Sequence, residues 1–211
     1  SHQAMDVIGM FRPVTKWSQS VFHPENIPEI VRKAFKLAEA EKPGAVLIEL
    51  PEDLAEEDVK GKALPQVRTR RPAADHRAVA EAVDLSLKAK NPMVIAGNGA
   101  VRKRAARQLR RFARKTGIGV ANTFMGKGAV AMSDPHCLFT IGLQARDYVN
   151  LALDECDVVI AVGYDLVEYS PVLWNKAGSK KIVHIDFAPA EIVPDIHGIA
   201  GEEAVNILLP N

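Results

Sequence analysis

The chain has 211 residues, 47% of them hydrophobic and 25% charged, with 27 lysines and arginines against 26 aspartates and glutamates. That composition predicts a packed globular core, and the balanced charge sets up no overall field to draw in nucleic acid or an anionic membrane. Two cysteines, Cys137 and Cys156, are too few for a disulfide framework or a zinc cluster, no apolar run approaches the roughly 20 residues of a membrane span, and no secretory leader pattern opens the chain, so a reducing cytoplasm is the expected compartment.

Residues 6–11 and 16–21 read as two extended apolar stretches separated by the turn-forming pair Arg12 and Pro13. Over residues 24–40, Ile27, Ile30, Val31, Ala34, Phe35, Leu37 and Ala38 recur at helical spacing behind Pro24, which predicts an amphipathic helix. Lys42, Pro43 and Gly44 stop it, and residues 45–50 form a short run of strand formers closed by Pro51. One helix and one convincing strand bury too little for a core of their own, so residues 1–54 are expected to be the end of a larger α/β domain. The charged, proline-rich stretch that follows has no periodicity, and residues 55–74 read as a linker.

From residue 75 to 211 the pattern is regular. Helices are predicted at 75–88, 101–116 and 147–153, and strands at 93–96, 119–122, 158–162 and finally 181–186. Strands alternating with helices predict an α/β fold with a doubly wound parallel sheet, whose ligands bind beyond the carboxyl ends of the strands. No internal repeat or low-complexity tract interrupts it.

Glycines fall at that edge. Gly97, Asn98 and Gly99 follow a strand and precede a helix, so their N–H groups could face a phosphate, although a tight strand-to-helix turn needs glycine with or without a ligand. Asn122, Thr123, Phe124, Met125, Gly126, Lys127 and Gly128 follow another strand and combine small residues with a positive charge, as suits an anion or equally a solvated glycine loop. Gly163, Tyr164 and Asp165, and then Asp186 and Phe187, end two further strands, where a carboxylate can accept ribose hydroxyls or simply face water. The full dinucleotide fingerprint is missing.

Arg102, Lys103, Arg104, Arg107, Arg110, Arg111, Arg114 and Lys115 crowd one predicted helix. Its stripe of Val101, Ala105, Leu109 and Phe112 is an ordinary core face, and no aromatic residues interleave with the charges, so a solvated or subunit-facing surface is favoured over nucleic acid. The six histidines are scattered, without metal-ligand spacing or a nucleophile partner. No catalytic or metal-binding residue is therefore singled out.

Taken together, these segments resemble the acetolactate synthase large (catalytic) subunit family. His2, Gln3, Ala4, Met5 and Asp6, continuing through Phe11, Arg12, Pro13, Val14, Thr15, Lys16 and Trp17, resemble the segment near the end of that family's pyrimidine-binding domain. Lys42, Pro43 and Gly44 with Val46, Leu47, Ile48, Glu49, Leu50, Pro51 and Asp53 resemble its closing strand and the start of the linker. The run from Thr123 to Gly128 and that from Asp186 to Ile192 are similar to the family's Rossmann-like middle domain, and the likeness fades after about Pro194.

The resemblance implies a cytoplasmic, thiamine-diphosphate-dependent and magnesium-dependent transferase that acts in branched-chain amino acid biosynthesis. Such an enzyme decarboxylates pyruvate and adds the resulting carbanion to a second 2-keto acid. It also implies three domains (pyrimidine-binding, middle and diphosphate-binding) with the cofactor between the first and third domains of two subunits. The activating glutamate is then expected before residue 1 and the metal motif beyond residue 211, so this chain is expected to bind neither thiamine diphosphate nor magnesium and to be inactive alone. Its expected partners are the remaining domains of the same polypeptide and further copies of itself, with no nucleic acid and no membrane.

Many members also carry FAD on the middle domain, at the glycine loops named above. Where those members have an Arg-Phe-Asp-Asp-Arg segment after the glycine, this chain has Tyr164, Asp165, Leu166, Val167, Glu168 and Tyr169, followed by Trp174 and Asn175. That run is similar to the catabolic, FAD-independent type and puts FAD binding in doubt, leaving a vestigial site. The competing reading, a stand-alone nucleotide-binding oxidoreductase or deacylase, would need a complete fingerprint or a zinc–cysteine cluster.

Overall fold

The computed structural model describes residues 5–65, 73–102, 105–142, 148–175, 178–188 and 205–208. The chain divides into two compact units, the first running through Arg71 and the second beginning at Pro72.

In the first unit, the stretch read as extended over residues 6–11 is instead a helix, α1 (Val7–Phe11). The Asp6 carboxylate accepts a hydrogen bond from the Gly9 N–H at 2.7 Å, and this cap nucleates a turn that the apolar residues alone do not reveal. Strand β1 (Trp17–Ser20), helix α2 (Ile27–Glu39) and strand β2 (Val46–Glu49) follow, and the two strands pair in parallel with Trp17 opposite Val46. Lys16 ties the unit together by donating from Nζ to the carbonyls of Leu37 and Ala40, both at 2.7 Å, at the negative end of α2. A short helix, α3 (Glu52–Ala55), follows, and residues 56–65 contain neither helix nor strand. The rest of the expected linker up to residue 72 lies outside the described residues.

Among the described residues, the second unit has six parallel strands: β3 (Pro92–Ala96), β4 (Gly119–Thr123), β5 (Cys137–Ile141), β6 (Val158–Val162), β7 (Lys181–Asp186) and β8 (Val205–Leu208). Their order is β5-β4-β3-β6-β7-β8. The chain therefore winds outward in one direction from β3 and in the other from β6, and the switch point lies between those two strands. Five helices among the described residues accompany the sheet: α4 (His76–Lys88), α5 (Asn98–Arg102), α6 (Ala106–Thr116), α7 (Val149–Glu155) and α8 (Pro171–Trp174).

Side-chain alternation sorts the core into two layers. Val94, Ala96, Val120, Ile160 and Val183 pack with Ala82, Leu109 and Ala113 on one face. Met93, Ile95, Ala121, Val159 and Ile182 pack with Leu153, Tyr164 and Trp174 on the other. The Asp157 carboxylate pins the start of β6 by accepting from the N–H groups of Lys90 (2.8 Å) and Asn91 (2.9 Å). Those N–H groups, that of Lys90 foremost, hold its pKa below the ordinary carboxylate value.

Four expectations need correction. The helix foreseen over 101–116 starts earlier, as α5 at Asn98, because the chain turns into helix directly on the glycines. Val101 is 39% exposed and leaves the core stripe, which is carried by Leu109 and Ala113. The helix foreseen over 147–153 is displaced to Val149–Glu155, while residue 147 itself lies outside the described residues. The strand at 181–186 is not the last, since β8 pairs with it, and β5 and α8 are additional elements. Each of these three is only four or five residues long, too short to display a period.

Candidate functional site: the crevice at the switch point

The ends of β3, β4 and β6 come together at the carboxyl edge, and backbone packing explains their glycines first. Gly97 extends the ladder past β3 by donating to the Val162 carbonyl at 2.9 Å, and Gly99 donates to the Gly163 carbonyl at 2.8 Å. A Cβ on Gly97 would overlap the Gly163 carbonyl oxygen and sit 2.5 Å from the Tyr164 Cα. Gly163 has a φ of +57°, and a Cβ there would come within 2.5 Å of the Gly99 carbonyl carbon. Gly126 closes the third side, where a Cβ would overlap Ala96 O and lie 3.0 Å from Gly97 C. Three strand ends thus approach more closely than any side chain allows.

Several polar groups of the crevice bond to one another. Glu168, on the turn after β6, accepts from the Asn98 N–H, 3.1 Å from each carboxylate oxygen, and from the Asp165 N–H at 3.3 Å. It also accepts from the hydroxyl of Thr123, a fully buried residue at the end of β4. The same Thr123 oxygen accepts from the Gly126 N–H at 2.8 Å, which holds the glycine loop in place. At the β3–α5 turn, the Asn98 N–H goes to Glu168, that of Gly99 to Gly163 and that of Ala100 to Gly97 at 3.1 Å.

The residues singled out in the sequence divide accordingly. Gly97, Asn98, Gly99, Thr123, Gly126, Gly163 and Asp165 gather in the crevice. Met125, Lys127 and Gly128 are exposed on the loop above it. Asp186 and Phe187 lie at the end of β7, one strand further out, where the Phe187 N–H donates to the Asp186 carboxylate at 2.6 Å.

Tyr164 is buried in the second core layer, 3% exposed. Its hydroxyl donates to the Tyr169 carbonyl and accepts from Trp174 Nε1 at 3.3 Å, and burial raises its pKa well above the ordinary phenol value. Glu168 is the central residue that the glycine pattern did not select. Its signal was its spacing, five residues past the glycine that ends β6.

Outside the crevice, Arg107, Arg110, Arg111, Arg114 and Lys115 line an open cleft along α6. Arg114 pairs with Asp134 at 3.1 Å. The His136 backbone N–H, then its ring and then Arg114, lower the Asp134 pKa from 3.8 to about 2. A carboxyl held low in the fold contributes stability above its unfolded value, and that contribution disappears as pH falls from 3.8 toward about 2. Thermal melts at stepped pH are expected to show a smaller loss across this window in Asp134→Asn than in the unaltered protein. Parallel melting curves for the two would contradict the assignment. Among the described residues, no group of three or more His, Cys, Asp or Glu is placed to hold a metal ion, and no helix is long and apolar enough to cross a membrane.

Residues 79–201 match the model of the thiamine pyrophosphate enzyme central domain. The chain belongs to that family. This central domain and the segment before it are 34% identical to an acetolactate synthase of Bacillus subtilis over 93% of the chain and 34% of the relative. They are also 34% identical to a catabolic acetolactate synthase of Raoultella terrigena, over 98% of the chain and 38% of the relative. The chain thus spans about a third of the length of these curated relatives. A crystal structure of a proposed thiamin diphosphate-dependent enzyme from Mycobacterium smegmatis superposes with a TM-score of 0.78 at 21% identity, over 97% of this chain and 38% of the other, a likeness of fold.

Proposed function

We propose that this chain is the middle part of an acetolactate synthase, comprising the end of the pyrimidine-binding domain (residues 1–54), a linker (55–74) and the central domain (75–211). The observation that carries this reading is the 34% identity to acetolactate synthases over nearly the whole chain, through both units rather than the central domain alone. The enzyme decarboxylates pyruvate and joins the product to a second 2-keto acid. Thiamine diphosphate, when bound with magnesium by the other domains, supplies the electron sink. The described residues of this chain offer no metal cluster for it, and no step of that chemistry is assigned to them. Their role is to brace: the packed crevice fixes the central domain as a rigid spacer and subunit contact within a cytoplasmic homo-oligomer.

The same reading leaves FAD out. The donors that a pyrophosphate would need at the β3–α5 turn are already engaged, and Asp165 and Glu168 bring negative charge to the place where flavin-using relatives carry arginines. The experiment is a colour assay for acetolactate with pyruvate, thiamine diphosphate and magnesium. The full-length gene product is expected to form acetolactate without added flavin, and the 211-residue chain alone to stay at background. A full-length product without acetolactate formation sinks the reading, as does activity in the isolated chain.

A further inference from the structure

Resting on that flavin-free reading, we infer that Glu168 is a built-in lock, a carboxylate that takes the place of a ligand phosphate and keeps nucleotides out of the crevice. A dinucleotide fold places its pyrophosphate against the N–H groups after the first strand of the switch point. Here the corresponding turn is Gly97, Asn98 and Gly99, and the side chain that accepts from its Asn98 N–H is Glu168.

The lock reaches all three elements that would have to part for a ligand. It accepts from Asn98 after β3, from Thr123 at the end of β4 and from Asp165 after β6. Each contact uses an acceptor lone pair of the ionised carboxylate, so the group works as an internal anion with its donors arrayed around it. Thr123 Oγ1 also receives the Gly126 N–H, so Glu168, Thr123 and the glycine loop are joined in one chain of hydrogen bonds. An incoming phosphate would have to break these bonds and then lie beside the expelled carboxylate, so contact competition and like-charge repulsion act in the same direction.

The experiment uses the full-length protein with Glu168→Ala and Glu168→Gln. The glutamine keeps the side chain's shape and one acceptor oxygen while removing the charge, which provides a folded comparison should the alanine variant fail to fold. FAD affinity is read by flavin fluorescence, and backbone opening by hydrogen exchange of peptides containing Asn98 and Asp165. The unaltered protein is expected to reject FAD. Both variants are expected to exchange at least about ten times faster at those two segments and to gain at least about tenfold in FAD affinity.

Faster exchange without a gain in affinity would overturn Glu168 as the excluding group, and so would unchanged exchange. In either case the flavin-free reading stands, provided the unaltered protein still rejects FAD. Sub-micromolar FAD binding by the unaltered protein would overturn the lock and the flavin-free reading together.

Discussion

Gly97→Ala is expected to destabilise the central domain severely, and Gly117→Ala only mildly. Gly97 does not need its glycine for conformation, since its φ is not in the left-handed region. It needs it for space. The added methyl would lie 2.5 Å from the Tyr164 Cα and overlap the Gly163 carbonyl, and both obstacles are backbone directly after β6. Neither can move without tearing the hydrogen bonds from Gly97 to Val162 and from Gly99 to Gly163. Overpacking of this kind costs about 1–3 kcal/mol where side chains can yield, and more where they cannot.

Gly117 presents the opposite case, with a φ of +75° and nothing within 4 Å of the point where an added methyl would stand. Only the left-handed strain of about 1–2 kcal/mol remains there. Thermal unfolding of the two variants should therefore separate cleanly. Equal melting temperatures would mean that the close approach at the switch point is not what the glycine serves.

This contrast also shows what could be read from the sequence. The strands over 93–96 and 158–162 were legible because their runs are wholly apolar, as befits strands buried on both faces, and those over 119–122 and 181–186, broken by Asn122 and by Lys181, His184 and Asp186, were legible from their alternation with helices. The carboxyl ends of two of them were legible because Gly97 and Gly163 follow directly. The edge strand β5 was not, since Phe139 within it is 55% exposed with a φ of +66°, and the pattern it leaves is neither alternating nor continuous. Helix α1 was hidden for a different reason. Its start is signalled by a single capping aspartate in front of a run that is equally apolar on every side.

At the crevice, the sequence located the glycines but left open what they serve. A glycine that admits a phosphate and a glycine that admits another strand look the same in one dimension. Glu168 separates the two cases only once the turn after β6 is folded back over Asn98 and Thr123. Tyr164 misleads in the same way. Its place directly after Gly163 suggests the ligand edge, yet its ring turns down into the core to meet Trp174.

That meeting underlies the remaining prediction. Trp174 is 2% exposed, the largest fully buried side chain among the described residues, and it sits at the end of a helix only four residues long. So short a helix has no stability of its own, so the indole anchors α8 to the sheet. Its ring meets Tyr164 edge-on, centroids 6.2 Å apart, and its N–H reaches the Tyr164 hydroxyl at 3.3 Å. Trp174→Ala would remove the buried ring and leave a cavity, at a cost of about 3–5 kcal/mol. For a domain of this size, that corresponds to a fall of roughly 10 °C in melting temperature. Trp174→Phe keeps much of the volume and gives up the N–H bond, so its loss should be a fraction of that, about 1–2 kcal/mol. The order of the effects is as informative as their size, because a mere surface cap would make the two substitutions equivalent. Circular dichroism melts of the three proteins decide it, and a shift under about 3 °C for the alanine variant would show that α8 is held by something other than Trp174.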